Sequence, residues 1–187
     1  MKAVIIGFGG MGGYHAKMIR QFAASEKEYP LELAGVFDID PARLQEAEKE
    51  GIRTYSSAEE VFSDKGVDAV LIATPNDVHA EYVYAAAKAG KHIICEKPVA
   101  MSSAQAESMY DAAERGGVLF EVHQNRRWDD DFLTAKQIAA EGKIGEVYKI
   151  ESRVVGSNGI PGAWRKEKAH GGGMMLDWGV HLIDQML

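Results

Sequence analysis

Apolar residues along this chain come in two rhythms. Residues 2–6, 31–37, 68–73, 91–95 and 118–122 are short, nearly unbroken apolar runs, the pattern of strands buried on both faces of a parallel sheet. Between them, residues 11–22, 41–50, 77–89 and 102–115 carry the patterns and end signals of helices. Pro41 suits a first helical turn and Gly51 a stop, while Ser57 is a plausible N-cap for a short helix through residue 62. Residues 53–55 form a brief connecting piece. Strand and helix alternate throughout, which predicts an α/β fold: a doubly wound parallel sheet with helices on both faces.

After His123 the pattern changes. A helix is expected over residues 130–140, and residues 146–155 alternate apolar and polar, as suits an antiparallel strand with one buried face. A glycine-rich loop over 156–173 holds Trp164 and Arg165, and a strongly apolar helix over 174–187 ends without a glycine or polar cap. One strand and one helix cannot close a domain, because a lone strand exposes both edges. The chain is therefore expected to divide at residues 1–123 and 124–187, with the second part incomplete and the whole the front portion of a longer protein.

Composition narrows the classes without choosing among them. Among 187 residues the formal net charge is −7 and the basic residues are scattered, which argues against a nucleic-acid surface. No apolar run is long enough for a membrane, and the first strand begins at Lys2 with no leader before it, so a cytoplasmic protein is expected. A single cysteine, Cys95, cannot form an internal disulfide and reads as core.

The first strand runs straight into Gly7-Phe8-Gly9-Gly10-Met11-Gly12. Gly7 permits the tight turn, Gly9 lets backbone approach a pyrophosphate, and Gly12 lets the next helix sit close to the sheet. A helix N-terminus there favours anions through its unpaired N–H groups and its dipole. Glycines alone also mark ordinary turns; the flanking strand and helix, and Asp38 at the end of the second apolar run, make this a dinucleotide site. Asp38 lies roughly 20 residues or somewhat more beyond the glycines, where a carboxylate bonds the adenosine ribose hydroxyls. NAD is the expected cofactor, with NADP possible through Arg43.

Three further stretches carry chemistry, each at a strand end or on a helix. Thr74, Pro75 and Asn76 follow the third strand, offering short polar groups on a fixed turn; an N-capped helix start is the competing reading, and His79 suits packing or capping. Glu96, Lys97 and Pro98 follow the fourth strand, where a lysine pinned between a proline and a carboxylate can stabilise a developing alkoxide. On the last helix Asp177 and His181 are expected to share a face, so that imidazole takes a hydroxyl proton while the carboxylate binds a neighbouring hydroxyl or orients the ring. A surface ion pair and a metal pair with His170 compete with that reading; no compact further ligands support a metal, and none is expected. Asn125, Arg126, Arg127, Trp128, Trp164 and Arg165 can line a pocket for a polar, sugar-like molecule, or Arg126 and Arg127 can pair with Asp129, Asp130 and Asp131 in a surface cluster.

In this order, Gly7-Phe8-Gly9-Gly10-Met11-Gly12, Ala73-Thr74-Pro75-Asn76 with His79, Glu96-Lys97-Pro98, Asn125-Arg126-Arg127 and Asp177-Trp178-Gly179-Val180-His181 resemble the Gfo/Idh/MocA oxidoreductases. The resemblance implies a Rossmann domain binding NAD(P), then the start of an α+β substrate and oligomerisation domain, of which most of the sheet is missing here. By position it implies catalytic roles for Lys97, Asp177 and His181. It implies cofactor contacts from Gly7, Phe8, Gly9, Gly10, Met11, Gly12, Asp38, Thr74, Pro75, Asn76, His79, Glu96, Lys97 and Pro98, and substrate contacts from Asn125, Arg127, Trp164 and Asp177. The activity implied is hydride transfer between nicotinamide and a sugar, cyclitol or related polyol, in a full-length form that is a homo-oligomer. A glycosidase of the same fold using transient oxidation, and a non-catalytic dinucleotide-binding regulator, stand as alternatives.

Overall fold

The computed structural model describes residues 1–25, 31–156 and 162–187, and the chain separates into two compact units, Met1–Val122 and His123–Leu187. In the first unit β1 (Lys2–Ile6), β2 (Glu32–Phe37), β3 (Ala69–Ile72), β4 (His92–Cys95) and β5 (Phe120–Val122) form one sheet in the order β2-β1-β3-β4-β5. All neighbours run parallel. The connecting helices are α1 (Gly10–Ser25), α2 (Pro41–Lys49), α3 (Ala58–Ser63), α4 (His79–Lys88) and α5 (Ser103–Gly116).

The period of two along each strand sorts the core into two layers. Val4, Ile6, Val70, Ile72, Ile93 and Cys95 point to one face and bury Val61 of α3, Val83 and Ala86 of α4, and Met109 of α5. Ile5, Val36 and Leu71 point to the other, where Ala16 and Ile19 of α1 and Ala47 of α2 cover them. Burial pushes the Cys95 thiol up, so it stays protonated as a small core residue.

Local chemistry sets the helix ends. The Ser57 side chain accepts from Glu60 N–H at 3.2 Å while Glu60 reaches back to Ser56 N–H at 2.7 Å, and Ser102 with Gln105 repeats the device at α5. Gly117, at φ +64°, ends α5 in the left-handed conformation that glycine adopts most readily. At the amino ends of the strands, buried Lys91 donates to the Asp64 and Val67 carbonyls, both at 2.7 Å. Beside it the Tyr55 hydroxyl donates to Asp64, and desolvation pushes its pKa up to about 12.

Register decides where a ligand can sit. Ile6 is level with Ile72, and Ile72 with Cys95, so Gly7, Ala73 and Glu96 leave the sheet at one height. Because β2 lies on one side of β1 and β3 on the other, the chain departs in opposite directions there, and the carboxyl ends of β1 and β3 flank a crevice.

The second unit departs from expectation in two places. Its helix α6 spans Asp130–Ala140, but residues 146–155 form no ladder; Tyr148 is 95% and Val155 92% exposed. An alternating pattern becomes a strand only against a partner, and none exists among the described residues. The expected glycine-rich loop over 156–173 falls partly outside the described residues; its remainder contains tight turns at Ala163–Lys166 and Lys168–His170. The expected final helix forms over residues 174–184, but its middle is a π-helical turn, Met175–Gly179, followed by α7 (Val180–Asp184).

Met109 is fully buried, whereas Leu119 is 71% exposed. Replacing Met109 by Ala is expected to lower stability by about 2–5 kcal/mol in denaturant unfolding, and Leu119→Ala to change it by no more than about 0.5 kcal/mol.

Candidate functional site

The glycines of the first turn divide into two kinds. Gly7 sits at φ +94°, and a Cβ on it would lie 2.7 Å from the Ala73 carbonyl oxygen; a Cβ on Gly12 would lie 1.9 Å from the Gly7 oxygen. Those two permit the fold. Gly9, Gly10 and Gly13 have nothing within 4 Å of a would-be Cβ, so they form the floor of an open cradle at the start of α1. The cradle belongs to a cleft of about 390 Å³ that reaches Lys17, Arg20 and Arg43. At its side Asp38 is fixed by both oxygens, Oδ2 accepting from Phe8 N–H at 2.6 Å and Oδ1 from Asp40 N–H at 2.8 Å. The Phe8 ring itself is buried in the core against Ile5 and Ala16. Arg43 is paired with Glu46 at 2.8 Å on the exposed face of α2.

Two further turns stand at the ends of β3 and β4. Thr74 Oγ1 is buried and lacks a hydrogen-bond partner among the described residues, and Asn76 is 4% exposed. His79, which suits packing or capping, is fully buried, with Nδ1 at 3.0 Å from the Pro98 carbonyl oxygen and Nε2 at 3.0 Å from that of Thr74. The neutral ring carries one N–H and donates to one of these two carbonyls while packing between the turns. Burial holds its pKa below the usual value for a histidine, against the pull of those carbonyls. Glu96 is likewise enclosed, at 5% exposure, with Oε1 at 2.7 Å from His15 Nε2 and Oε2 accepting from Lys97 N–H at 3.2 Å. The Lys97–Pro98 peptide is cis.

His15 is the residue that sequence reasoning missed. Its signal was present: Gly12, His15, Ala16 and Ile19 fall on one helical stripe, and all are buried. An ionisable side chain in an otherwise small and apolar stripe needs a buried partner.

In the second unit a 3₁₀ turn, Asn125–Trp128, is tied to the α7 segment by polar contacts. Gln124 Nε2 donates to the Val180 carbonyl at 3.3 Å, and Gln185 Nε2 to that of Arg126 at 2.8 Å. Arg127, expected to meet substrate, donates from Nε and Nη2 to the Asp184 carboxylate at 2.6–3.0 Å, and this fork holds the Asp184 carboxyl below its usual range. Arg126 pairs with Asp129 at 2.8 Å and lies 4.3 Å from the Trp178 ring centre.

The π turn alters the expected face shared by Asp177 and His181. A wider turn does not stack residues four apart as an α-helix does. Asp177 Oδ1 stands 3.8 Å from Arg165 Nε, and the Arg165 guanidinium covers the half-buried Trp164 ring at 4.5 Å. Gly173 N–H donates to the Arg165 carbonyl at 3.0 Å, which anchors the backbone of that pair. His181 is 5% exposed and meets the Trp178 ring edge-on, centres 5.9 Å apart.

The first unit suits a dinucleotide on three observations: an open glycine floor at a helix N-terminus, a carboxylate locked beside it, and a buried hydroxyl at Thr74 without a partner. Residues 1–124 match the family model described as "Oxidoreductase family, NAD-binding Rossmann fold", and residues 132–187 match the "GFO/IDH/MocA C-terminal domain". An NAD-binding protein from Listeria innocua superposes with TM-score 0.93 at 51% identity, over 99% of this chain and 53% of that one. A myo-inositol 2-dehydrogenase from Thermotoga maritima is 30% identical over 98% of this chain and 53% of its own length. A scyllo-inositol 2-dehydrogenase (NADP(+)) from Bacillus subtilis is 35% identical over 69% of this chain and 36% of its own. The chain thus spans about half the length of the solved structures it matches.

Since the native pKa of His79 lies below the unfolded value of about 6.5, the stability it contributes is complete above that pH and is lost as pH falls towards the native value. Unfolding free energies between pH 7.5 and 5 are expected to decline in the native chain and to decline less in His79→Gln. An identical slope in both would contradict the assignment.

Proposed function

The chain belongs to the Gfo/Idh/MocA oxidoreductase family, whose amino-terminal half is an NAD-binding Rossmann fold, and from that membership we propose that it serves hydride transfer between nicotinamide and a hydroxyl-bearing carbon of a sugar, cyclitol or related polyol. The observation that carries this reading is the common height of three strand ends, which brings the glycine floor, Thr74 and the Glu96-Lys97-Pro98 turn to one edge of the sheet. When bound, NAD supplies the hydride acceptor. Gly9, Gly10 and the first N–H groups of α1 hold the diphosphate, and Asp38 accepts from the adenosine ribose hydroxyls. Lys97 places positive charge near the reacting oxygen and assists the proton's departure, while His181 takes that proton and Asp177 holds the substrate through a neighbouring hydroxyl.

A polyol substrate is supported by the two relatives named as inositol dehydrogenases and by the polar, aromatic lining offered by Trp164, Arg165 and Asp177. Arg127 serves by holding α7 through Asp184, and Asn125 sits on the same turn. A homo-oligomeric full-length form and a cytoplasmic setting complete the proposal; among the described residues no helix is long and apolar enough to cross a membrane.

Fluorescence titration with NADH is expected to show saturable binding, tighter for NADH than for NADPH, because the fixed Asp38 carboxylate repels a 2′-phosphate. Asp38→Ala should narrow the gap, and tighter NADPH binding by the native chain would assign the Lys17, Arg20 and Arg43 rim to that phosphate.

In turnover assays of the full-length form with NAD and a polyol panel, His181→Ala is expected to lower kcat by roughly 10²- to 10⁴-fold with little change in cofactor affinity. Lys97→Met should behave alike, whereas Asp177→Ala should also raise KM. Loss of NAD binding in His181→Ala would make that residue structural.

A further inference from the structure

We infer that His15 is a positioning residue for the nicotinamide end of the cofactor site, acting through Glu96 on the turn that carries Lys97; this rests on the dinucleotide reading above. His15 lies on the buried stripe of α1, the helix whose first turn forms the glycine cradle. Glu96 is the first residue beyond β4, and β3 separates β4 from β1 in the sheet. The 2.7 Å contact between His15 Nε2 and Glu96 Oε1 therefore passes over a whole strand to join the element that presents the cradle to the element that presents Lys97. Glu96 then uses its other oxygen, Oε2, to accept the Lys97 backbone N–H at 3.2 Å.

Stability alone does not account for a buried polar pair in this place. His15 and Glu96 are 7% and 5% exposed, and two apolar side chains of similar volume would fill such a site at no greater cost. What the pair adds over apolar packing is direction: one ring nitrogen, the two oxygens of one carboxylate and one backbone N–H in series fix the spacing between two turns. A dinucleotide is a single extended molecule that meets both turns, so that spacing matters to the whole cofactor and not to its adenosine half.

ADP, which carries the adenosine and diphosphate alone, and NADH separate the two ends. His15→Phe is expected to weaken NADH binding by about tenfold and ADP binding by less than about twofold, and His15→Gln, which keeps an N–H donor, to restore most of the loss. An equal loss for both ligands, or no loss for NADH, would overturn the inference. If His15→Phe does not fold, Glu96→Gln tests the same link with its shape preserved: selective weakening of NADH supports it, and unchanged NADH affinity overturns it. A native chain that bound neither NADH nor ADP would sink the dinucleotide reading itself, and the inference with it.

Discussion

Helix α1 begins so close to the end of β1 that no side chain fits between them; a Cβ on Gly12 would stand 1.9 Å from the Gly7 carbonyl oxygen. That approach aims the N-terminus of a 16-residue helix at the crevice between β1 and β3. It also carries Ala16 and Ile19 down onto Ile5 and Leu71, so that the same contact fixes one half of the core. His15, one residue from Ala16, is delivered to Glu96 by this placement. A larger residue at position 12 would move the helix, and the anion cradle, the core layer and the buried pair would all shift together.

The sheet is tied by polar contacts at both of its ends, and the ties differ in kind. At the amino ends Lys91 satisfies two carbonyls, and its neighbours Tyr55 and Arg53 share the Asp64 carboxylate, a closed arrangement of donors and acceptors. At the carboxyl ends His79 spans the Thr74 and Pro98 carbonyls, and Glu96 spans His15 and the Lys97 N–H. There the hydroxyl of Thr74 remains without a hydrogen-bond partner among the described residues. Buried polar groups left in that condition are costly in a medium of low dielectric, and a ligand's polar groups relieve them.

The second unit is held by charge and rings more than by aliphatic packing. No side chain of α6 is buried, while the Arg127 fork on Asp184 and the Arg126 stack on Trp178 keep the 3₁₀ turn against the α7 segment. The π turn between Met175 and Gly179 departs from regular i to i+4 stacking, a distortion often found where side chains are aimed for function. Here it accompanies the turning of Asp177 towards Arg165.

Local sequence determined the elements of the first unit and the class of its ligand. Apolar runs, the Ser57 and Ser102 caps and the glycine turn each depend on neighbours in the chain, and the helix over 130–140 followed for the same reason. Membership of the family was legible because Gly7 to Gly12, Glu96-Lys97-Pro98 and the Asp177 to His181 spacing are short linear patterns. Tertiary structure decided what depends on partners distant in sequence. Residues 146–155 have the alternation of a strand and no strand to pair with, so the pattern stays unrealised among the described residues. His79 lies between two carbonyls from different turns, and Glu96 meets a histidine 81 residues away. Arg127 was claimed by Asp184, 57 residues on. A side chain's chemistry is written in its own identity, but whether it faces a ligand or a neighbour is fixed only when the chain brings that neighbour within hydrogen-bond reach.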